Sequence, residues 1–173
     1  RRADPVLCRA GPFLYPASIM PPLLPRSLHR LALRVAHRLR HVWRRLAKPQ
    51  LRGVSVILRD AQGRVLFVRH TYGPPDWSLP GGGIARGEAP EAAARREMAE
   101  ELALTLGPVS ELGTIEETLS GAPHTAYLFL AEIAEAPVPD GREVVEVRFA
   151  MPDDPPQPVS GLAERRIAYL LKI

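Results

Sequence analysis

Glu97, Glu100 and Glu101 stand three and four residues apart, the spacing that sets side chains on one face of an α-helix. Like charges placed this way repel by roughly a few tenths of a kcal/mol per pair, and a cation between them reverses that penalty. Hard divalent ions such as Mg²⁺ take oxygen ligands and are commonly held by a few carboxylates together with substrate phosphates. The three glutamates are therefore candidate metal ligands. Upstream, Gly81, Gly82 and Gly83 can bring backbone N–H and C=O groups close to a ligand with no side chain in the way. An acidic run on a helix is most often a solvated face, and a glycine-rich turn most often a tight loop. Their combination carries more weight than either part.

The spacing is Gly82, five residues, Glu88, seven residues, then Arg96-Glu97-Met98-Ala99-Glu100-Glu101-Leu102-Ala103-Leu104. Six fixed residue types at fixed spacing arise by chance on the order of 10⁻⁸ per start position at ordinary residue usage, so coincidence is a poor account. The pattern resembles the Nudix box of the MutT-like pyrophosphohydrolases at every position except Ala103, where that family usually has glycine. The resemblance implies an α/β/α sandwich with a mixed sheet over residues 51–173. It also implies Mg²⁺, with Mn²⁺ as the alternative, held by Glu97, Glu100 and Glu101. The implied reaction is hydrolysis of a nucleoside diphosphate linked to another group, water attacking one phosphorus of the pyrophosphate.

Such a step needs the charge on the bridging and leaving oxygens neutralised, and a carboxylate to take the proton of water. Members of the family differ in which glutamate does this. Here Glu97 ranks first and Glu143 second, with Glu146 also within reach. Asp140-Gly141-Arg142-Glu143 reads as a loop able to swing over the site. Glu116 and Glu117 lie in an expected strand where only one can face inward, and surface charge is their plainer reading.

Around this core, Arg96 lies to the side of the carboxylate face and is expected to pair with an acid such as Glu100, bracing the ligands. Glu88 has the same supporting character. Tyr72, in a loop, is a candidate for stacking on a base, as is Trp77, though core packing is the commoner fate of such a tryptophan. Arg69 and His70 close a strand near that loop, and Arg69 is a candidate phosphate contact. His124 stands alone and has no role assigned.

These residues need a scaffold. Gly53 to Leu58 is rich in branched residues, Ala61-Gln62-Gly63 reads as a turn and Val65 to Val68 as the returning strand, which makes a hairpin. A short strand at Trp77 to Leu79 runs into Pro80 and the glycines. Pro90 suits the first position of a helix reaching about Leu102, because its missing N–H costs nothing there. Strands follow at Val109 to Thr118, Thr125 to Ile133 and Val144 to Ala150, and a closing helix at Gly161 to Leu171.

The 173 residues and net charge of +4 hide an asymmetry: up to Arg52 there are twelve Arg or Lys against Asp4, or +11, which leaves −7 for the remainder. Leu28, Leu31, Val35, Leu39, Val42 and Leu46 form one helical stripe over 27–49, with Arg30, Arg34, Arg40, Arg44 and Lys48 on the other side. This basic amphipathic helix is expected to pack within the protein. The next reading is peripheral contact of 27–48 with an anionic membrane surface, and a nucleic-acid or targeting role ranks below both. Residues 1–26 read as an extension or disordered tail, Met20 standing just ahead of the helix. Cys8 is the only cysteine, which excludes an internal disulfide and a thiolate metal cage and fits a cytoplasmic setting.

Residues outside the box do not name the substrate. The proline expected of ADP-ribose hydrolases about fifteen residues past the box is absent, Pro123 coming nineteen after Leu104. Tyr127 lies too far on for the dinucleoside polyphosphate pattern, and an isomerase on this fold would need a cysteine inside the domain. A small-molecule nucleotide diphosphate is expected as the substrate, without a specific nucleic-acid partner. The rival is a catalytically inactive Nudix-like module that senses a nucleotide. The retained glutamates favour the enzyme.

Overall fold

In the computed structural model, which describes residues 46–172, strand alternation sets the layers. Within β1 (Leu51–Arg59) and β2 (Val65–His70), Val54, Val56, Leu58, Leu66 and Val68 join one buried cluster, whereas Ile57, Val65 and Phe67 join another. A period of two thus sends each strand's apolar residues to both faces of the sheet. The first cluster is closed by helix α1 (Pro90–Leu102) through Ala93, Ala94, Met98 and Leu102. The second is closed by α2 (Gly161–Leu170) through Ala163 and Ile167. Three further strands, β3 (Val109–Leu119), β4 (Ala122–Glu132) and β5 (Val144–Ala150), complete a sheet of order β3-β4-β1-β2-β5. β1 and β4 run parallel and the other neighbours antiparallel. The result is the expected α/β/α sandwich with a mixed sheet. Of the expected basic helix over 27–49, residues 27–45 lie outside the described residues, as do 1–26. No helix among the described residues is long and apolar enough to cross a membrane.

β1 and β2 pair only at the hairpin, Arg59 with Val65, and then diverge. Into the gap goes the segment from Ser78 to Ile84. Val68 and Ser78 exchange backbone hydrogen bonds of 2.8 and 2.9 Å, while the Val56 and Val54 N–H groups donate to Pro80 O (2.9 Å) and Gly82 O (2.8 Å). The short strand expected at Trp77 to Leu79 is thus a set of single bridges. Gly81, at φ 144°, is held so close that a β-carbon there would collide with Val54 O.

Two expectations fail on the α2 face. Glu117 is no surface charge: its carboxylate is buried, with Arg166 at 2.7 Å, Arg165 at 3.3 Å and His124 Nδ1 at 3.0 Å. His124 is 6 % exposed and joins that network. Arg166 also donates to Ser55 Oγ at 2.9 Å, tying α2 to β1. Burial alone would push Glu117 up, but Arg166, with His124 and Arg165, outweighs it and holds the carboxyl below its usual range. Register explains the pairing, since Glu117 and His124 face each other across the β3–β4 ladder.

Candidate active site

Helix α1 divides its surface as its sequence demands. Pro90 opens it, Glu91 stands in the first turn, and Ala93, Ala94, Met98 and Leu102 are buried against the sheet. Glu97 and Glu100 rise from another side with 14 % and 61 % of their side chains exposed, while Glu101 is buried at 4 %. The helix ends at Ala103 in the left-handed region, φ 54° and ψ 31°. Its terminal carbonyls are satisfied by the segment leading to β5: Val138 N donates to Leu102 O at 2.8 Å and Asp140 N to Glu101 O at 3.0 Å.

Arg96 bonds several carboxylates, and its principal partner is Glu88 where the sequence suggested an acid such as Glu100. Its guanidinium forks onto Glu88 through Nε–Oε1 (2.9 Å) and Nη2–Oε2 (3.1 Å). Nη1 reaches Glu97 Oε1 at 2.8 Å and Glu100 Oε2 at 3.2 Å, and Nη2 donates to Gly83 O at 3.0 Å. Glu100 is thus the longest of these contacts. The Arg96 hydrogen bonds, joined by the Ala85 N–H, hold Glu88 at about 2, and Glu88 in turn raises Arg96. A planar fork fits this task, since it serves three acids and a carbonyl together.

The glycines make room for carboxylates. A β-carbon on Gly82 would meet the Glu97 carboxylate, and Gly81 N donates to Glu101 Oε2 at 3.3 Å. Burial raises the Glu97 carboxyl, offset in part by Arg96 and reinforced by Glu100 and Glu143. Burial also lifts Glu101 to about 8; the charges of Glu97, Glu143 and Asp140 add to this against the Gly81 hydrogen bond. Glu97 and Glu101 therefore both lie in the field of Glu143, and Glu101 in that of Asp140 as well, with Arg96 as the cation at one side.

A hard cation fits this donor set. Neighbouring carboxylates help to raise the proton affinity of Glu97 and Glu101, and oxygen is what Mg²⁺ accepts. As they stand, however, no three Asp, Glu, His or Cys groups among the described residues are gathered tightly enough to hold a metal. Glu97 and Glu100 are bonded to Arg96, and Glu101 to Gly81 N.

The loop before β5 is pinned where the sequence reads as free to swing. Asp140 Oδ1 accepts N–H groups from Arg142 (3.0 Å), Glu143 (3.0 Å) and Val144 (2.9 Å). Thr71 holds the other side, its N–H on Glu143 O at 2.9 Å and its hydroxyl on Arg142 O at 2.6 Å. Tyr72 donates its phenol to Glu143 Oε2 at 3.1 Å and stacks on His70 at 5.3 Å. Asp140 was missed as a site residue, although Asp-Gly is a turn signal whose carboxylate commonly caps the following N–H groups.

Other candidates are drawn elsewhere. Arg69 pairs with Glu146 at 2.8 Å and lies 4.4 Å over the Trp77 ring. Trp77 itself is 2 % exposed in the cluster beneath α2, so it is core and not a base platform. Arg69, Glu146 and Trp77 are therefore not brought to the carboxylates, whereas Glu88, Arg96, Glu97, Glu101, Gly81, Gly82 and Glu143 are.

Comparison with known proteins shows the family. An RNA pyrophosphohydrolase of Saccharophagus degradans is 43 % identical over 63 residues, covering 36 % of this chain and 37 % of that protein. An isopentenyl-diphosphate Delta-isomerase of Streptomyces griseus is 38 % identical over 109 residues, covering 57 % of this chain and 55 % of that one. The chain thus spans from about a third to about half the length of these relatives. A MutT NUDIX hydrolase from Burkholderia pseudomallei shares the fold with a TM-score of 0.64 at 23 % identity, over 70 % of this chain and 98 % of that one. A family model described as NUDIX domain matches residues 49–170, most of the chain, and the chain belongs to that family.

Proposed function

We propose that this protein is a divalent-cation-dependent hydrolase that cleaves a phosphoanhydride bond in a nucleoside diphosphate linked to another group. One observation carries the reading: beside the Gly81–Gly83 segment, Glu97 and Glu101 both lie in the field of Glu143, and Glu101 in that of Asp140 as well, with Arg96 as the balancing cation. Such a cluster is matched by a divalent ion and a phosphate chain. Glu97, Glu100 and Glu101 are the residues that would hold Mg²⁺ or Mn²⁺. When bound, the ion supplies neutralisation of phosphate charge and a more acidic water.

The chain's own residues supply the rest. Arg96 keeps Glu97 and Glu88 in register with the glycine segment through its bonds to both and to Gly83 O. Gly81 to Gly83 offer main chain to the pyrophosphate. Glu143 or Glu97 takes the proton from the attacking water. Identity of 43 % over 63 residues with an RNA pyrophosphohydrolase favours a second reading within the same chemistry, the 5′-terminal pyrophosphate of an RNA. The isomerase relative does not carry its activity here, since the sole cysteine is Cys8. An inactive sensing module is the weaker reading, because every box glutamate is retained.

The test is incubation of the pure protein with Mg²⁺ or Mn²⁺ and a panel of nucleotide sugars, dinucleoside polyphosphates, nucleoside triphosphates and a 5′-triphosphate oligoribonucleotide. Products are identified by mass in ¹⁸O-water. Turnover abolished by chelation and label in one phosphate product is expected. Absence of turnover across the panel would sink the proposal.

A further inference from the structure

We infer that Asp140 and Tyr72 are positioning residues that hold Glu143 at the carboxylate cluster, an assignment that rests on Glu143 as a proton acceptor in the reaction proposed above. A glutamate facing Glu97 and Glu101 is repelled by both, so a loose Asp-Gly-Arg-Glu loop would carry it away. Hydrogen bonds made by Asp140, Thr71 and Tyr72 oppose that repulsion. The Asp140 carboxylate takes the N–H groups of Arg142, Glu143 and Val144, the Glu143 bond being shared by Oδ1 (3.0 Å) and Oδ2 (3.1 Å). Its own N–H donates to Glu101 O at 3.0 Å, which ties the loop to the helical turn that carries Glu101. Thr71 fastens the Glu143 carbonyl at 2.9 Å. The backbone of Glu143 is thus held through both of its polar groups.

Tyr72 completes the placement on the side chain. Its phenol donates to Glu143 Oε2 at 3.1 Å. The phenol has one proton to give, so it anchors the carboxylate through a single oxygen. Asp140 spends its lone pairs on backbone N–H groups, which sets it apart from the glutamates proposed to hold metal.

The experiment compares the full chain with Asp140→Ala, Asp140→Asn, Tyr72→Phe and Glu143→Gln, and with the first three combined with Glu143→Gln. Amide exchange is followed in the metal-free protein, and kcat and KM on whichever panel substrate is turned over. In Asp140→Ala, exchange at Arg142, Glu143 and Val144 is expected to quicken about tenfold or more while β1 stays protected. Its kcat falls about tenfold, a modest misplacement by the usual scale, with KM within about twofold. Asp140→Asn is intermediate, because one acceptor oxygen remains. Tyr72→Phe leaves those amides as they were, lowers kcat a few-fold and moves the acid limb of its pH profile. Neither Asp140→Ala nor Tyr72→Phe lowers kcat further once Glu143 is Gln. Unchanged exchange in Asp140→Ala, or losses that add in full to that of Glu143→Gln, would overturn the inference while leaving the hydrolase intact. A wild type without turnover overturns the functional reading itself and the role of Glu143 with it.

Discussion

The Glu97 carboxylate occupies the space that a β-carbon on Gly82 would need. Glycine here serves the neighbouring helix, for any side chain would expel a candidate metal ligand from beneath the segment wedged against β1. Gly82→Ala is therefore expected to cut metal-dependent turnover by about tenfold to a hundredfold and to weaken Mn²⁺ binding measured calorimetrically. Gly107→Ala is the control, since nothing lies within 4 Å of its would-be β-carbon. Equal activity in Gly82→Ala and wild type would dissociate Glu97 from the site.

Arg96 serves Glu88, Glu97, Glu100 and Gly83 O from one planar group, which a lysine ammonium cannot imitate. Arg96→Lys should lose most of the activity that Arg96→Ala loses, about tenfold or more, with a lower melting temperature in both. Glu100→Gln and Glu101→Gln should instead raise the metal concentration needed for half-maximal rate. A lysine variant with wild-type kcat would show that charge alone is required.

Removal of divalent metal should expose a pH dependence set by Glu101, whose pKa stands at about 8, raised chiefly by burial. An unfolded glutamate titrates near ~4.3, so folding of the metal-free protein takes up a proton between these values. The stabilisation is complete below the unfolded pKa and lost as pH rises through about 8. In chelator, the melting temperature should fall from pH 5 to pH 9. Glu101→Gln should flatten the curve, and Mg²⁺ should restore stability at the alkaline end. A flat profile in the wild type would show that Glu101 is ionised throughout.

Legibility in the sequence followed the range of the interactions. Helix α1 and strand β5 stand at their expected bounds, because Pro90, a 3.6-residue apolar period and a short branched run are local signals. β4 begins at Ala122, ahead of the expected Thr125. Pro123 argues against a strand interior, yet β1 pairs with β4 only from His124 onward, so the missing N–H faces no partner there. The box was legible as a set of residue types, and Arg96, Glu97, Glu101 and Gly82 do come together. The path of the glycine segment between β1 and β2 was not, since its backbone hydrogen bonds join residues with no shared periodicity. The pairing of Glu117 with Arg166 was not legible for the same reason, the two being forty-nine residues apart, so Glu117 read as a surface charge.

That buried network makes its own prediction. Arg166 is 8 % exposed, and its loss would take from the Glu117 carboxylate its shortest ion pair, one that helps to depress its pKa. Removing one partner of a buried pair costs about 3 kcal/mol, roughly 10 °C in melting temperature for a chain of this size. Arg166→Met should show that loss, measured by thermal unfolding, with the deficit shrinking as pH falls. The sign follows from linkage: a depressed carboxyl stabilises above its unfolded pKa, and that stabilisation disappears as pH falls through the folded value. An Arg166→Met protein as stable as the wild type would mean that the desolvation of Arg166 and Glu117 offsets their attraction.

Ala103 holds φ 54° and ψ 31° at the end of α1, and Leu104 N closes the turn on Met98 O at 3.1 Å. The left-handed region costs an alanine about 1 kcal/mol that glycine does not pay. The residue adjoins Leu102, whose carbonyl takes Val138 N, yet it contributes no ligand and no hydrogen-bonding side chain. Ala103→Gly is therefore expected to raise the melting temperature by roughly 2–4 °C with kcat and KM unchanged within about twofold. The gain is smaller than the strain relieved if the added freedom of glycine in the unfolded chain offsets part of it. A loss of stability on this substitution, read by thermal unfolding, would show that the turn is not strained and that the family's glycine serves another purpose.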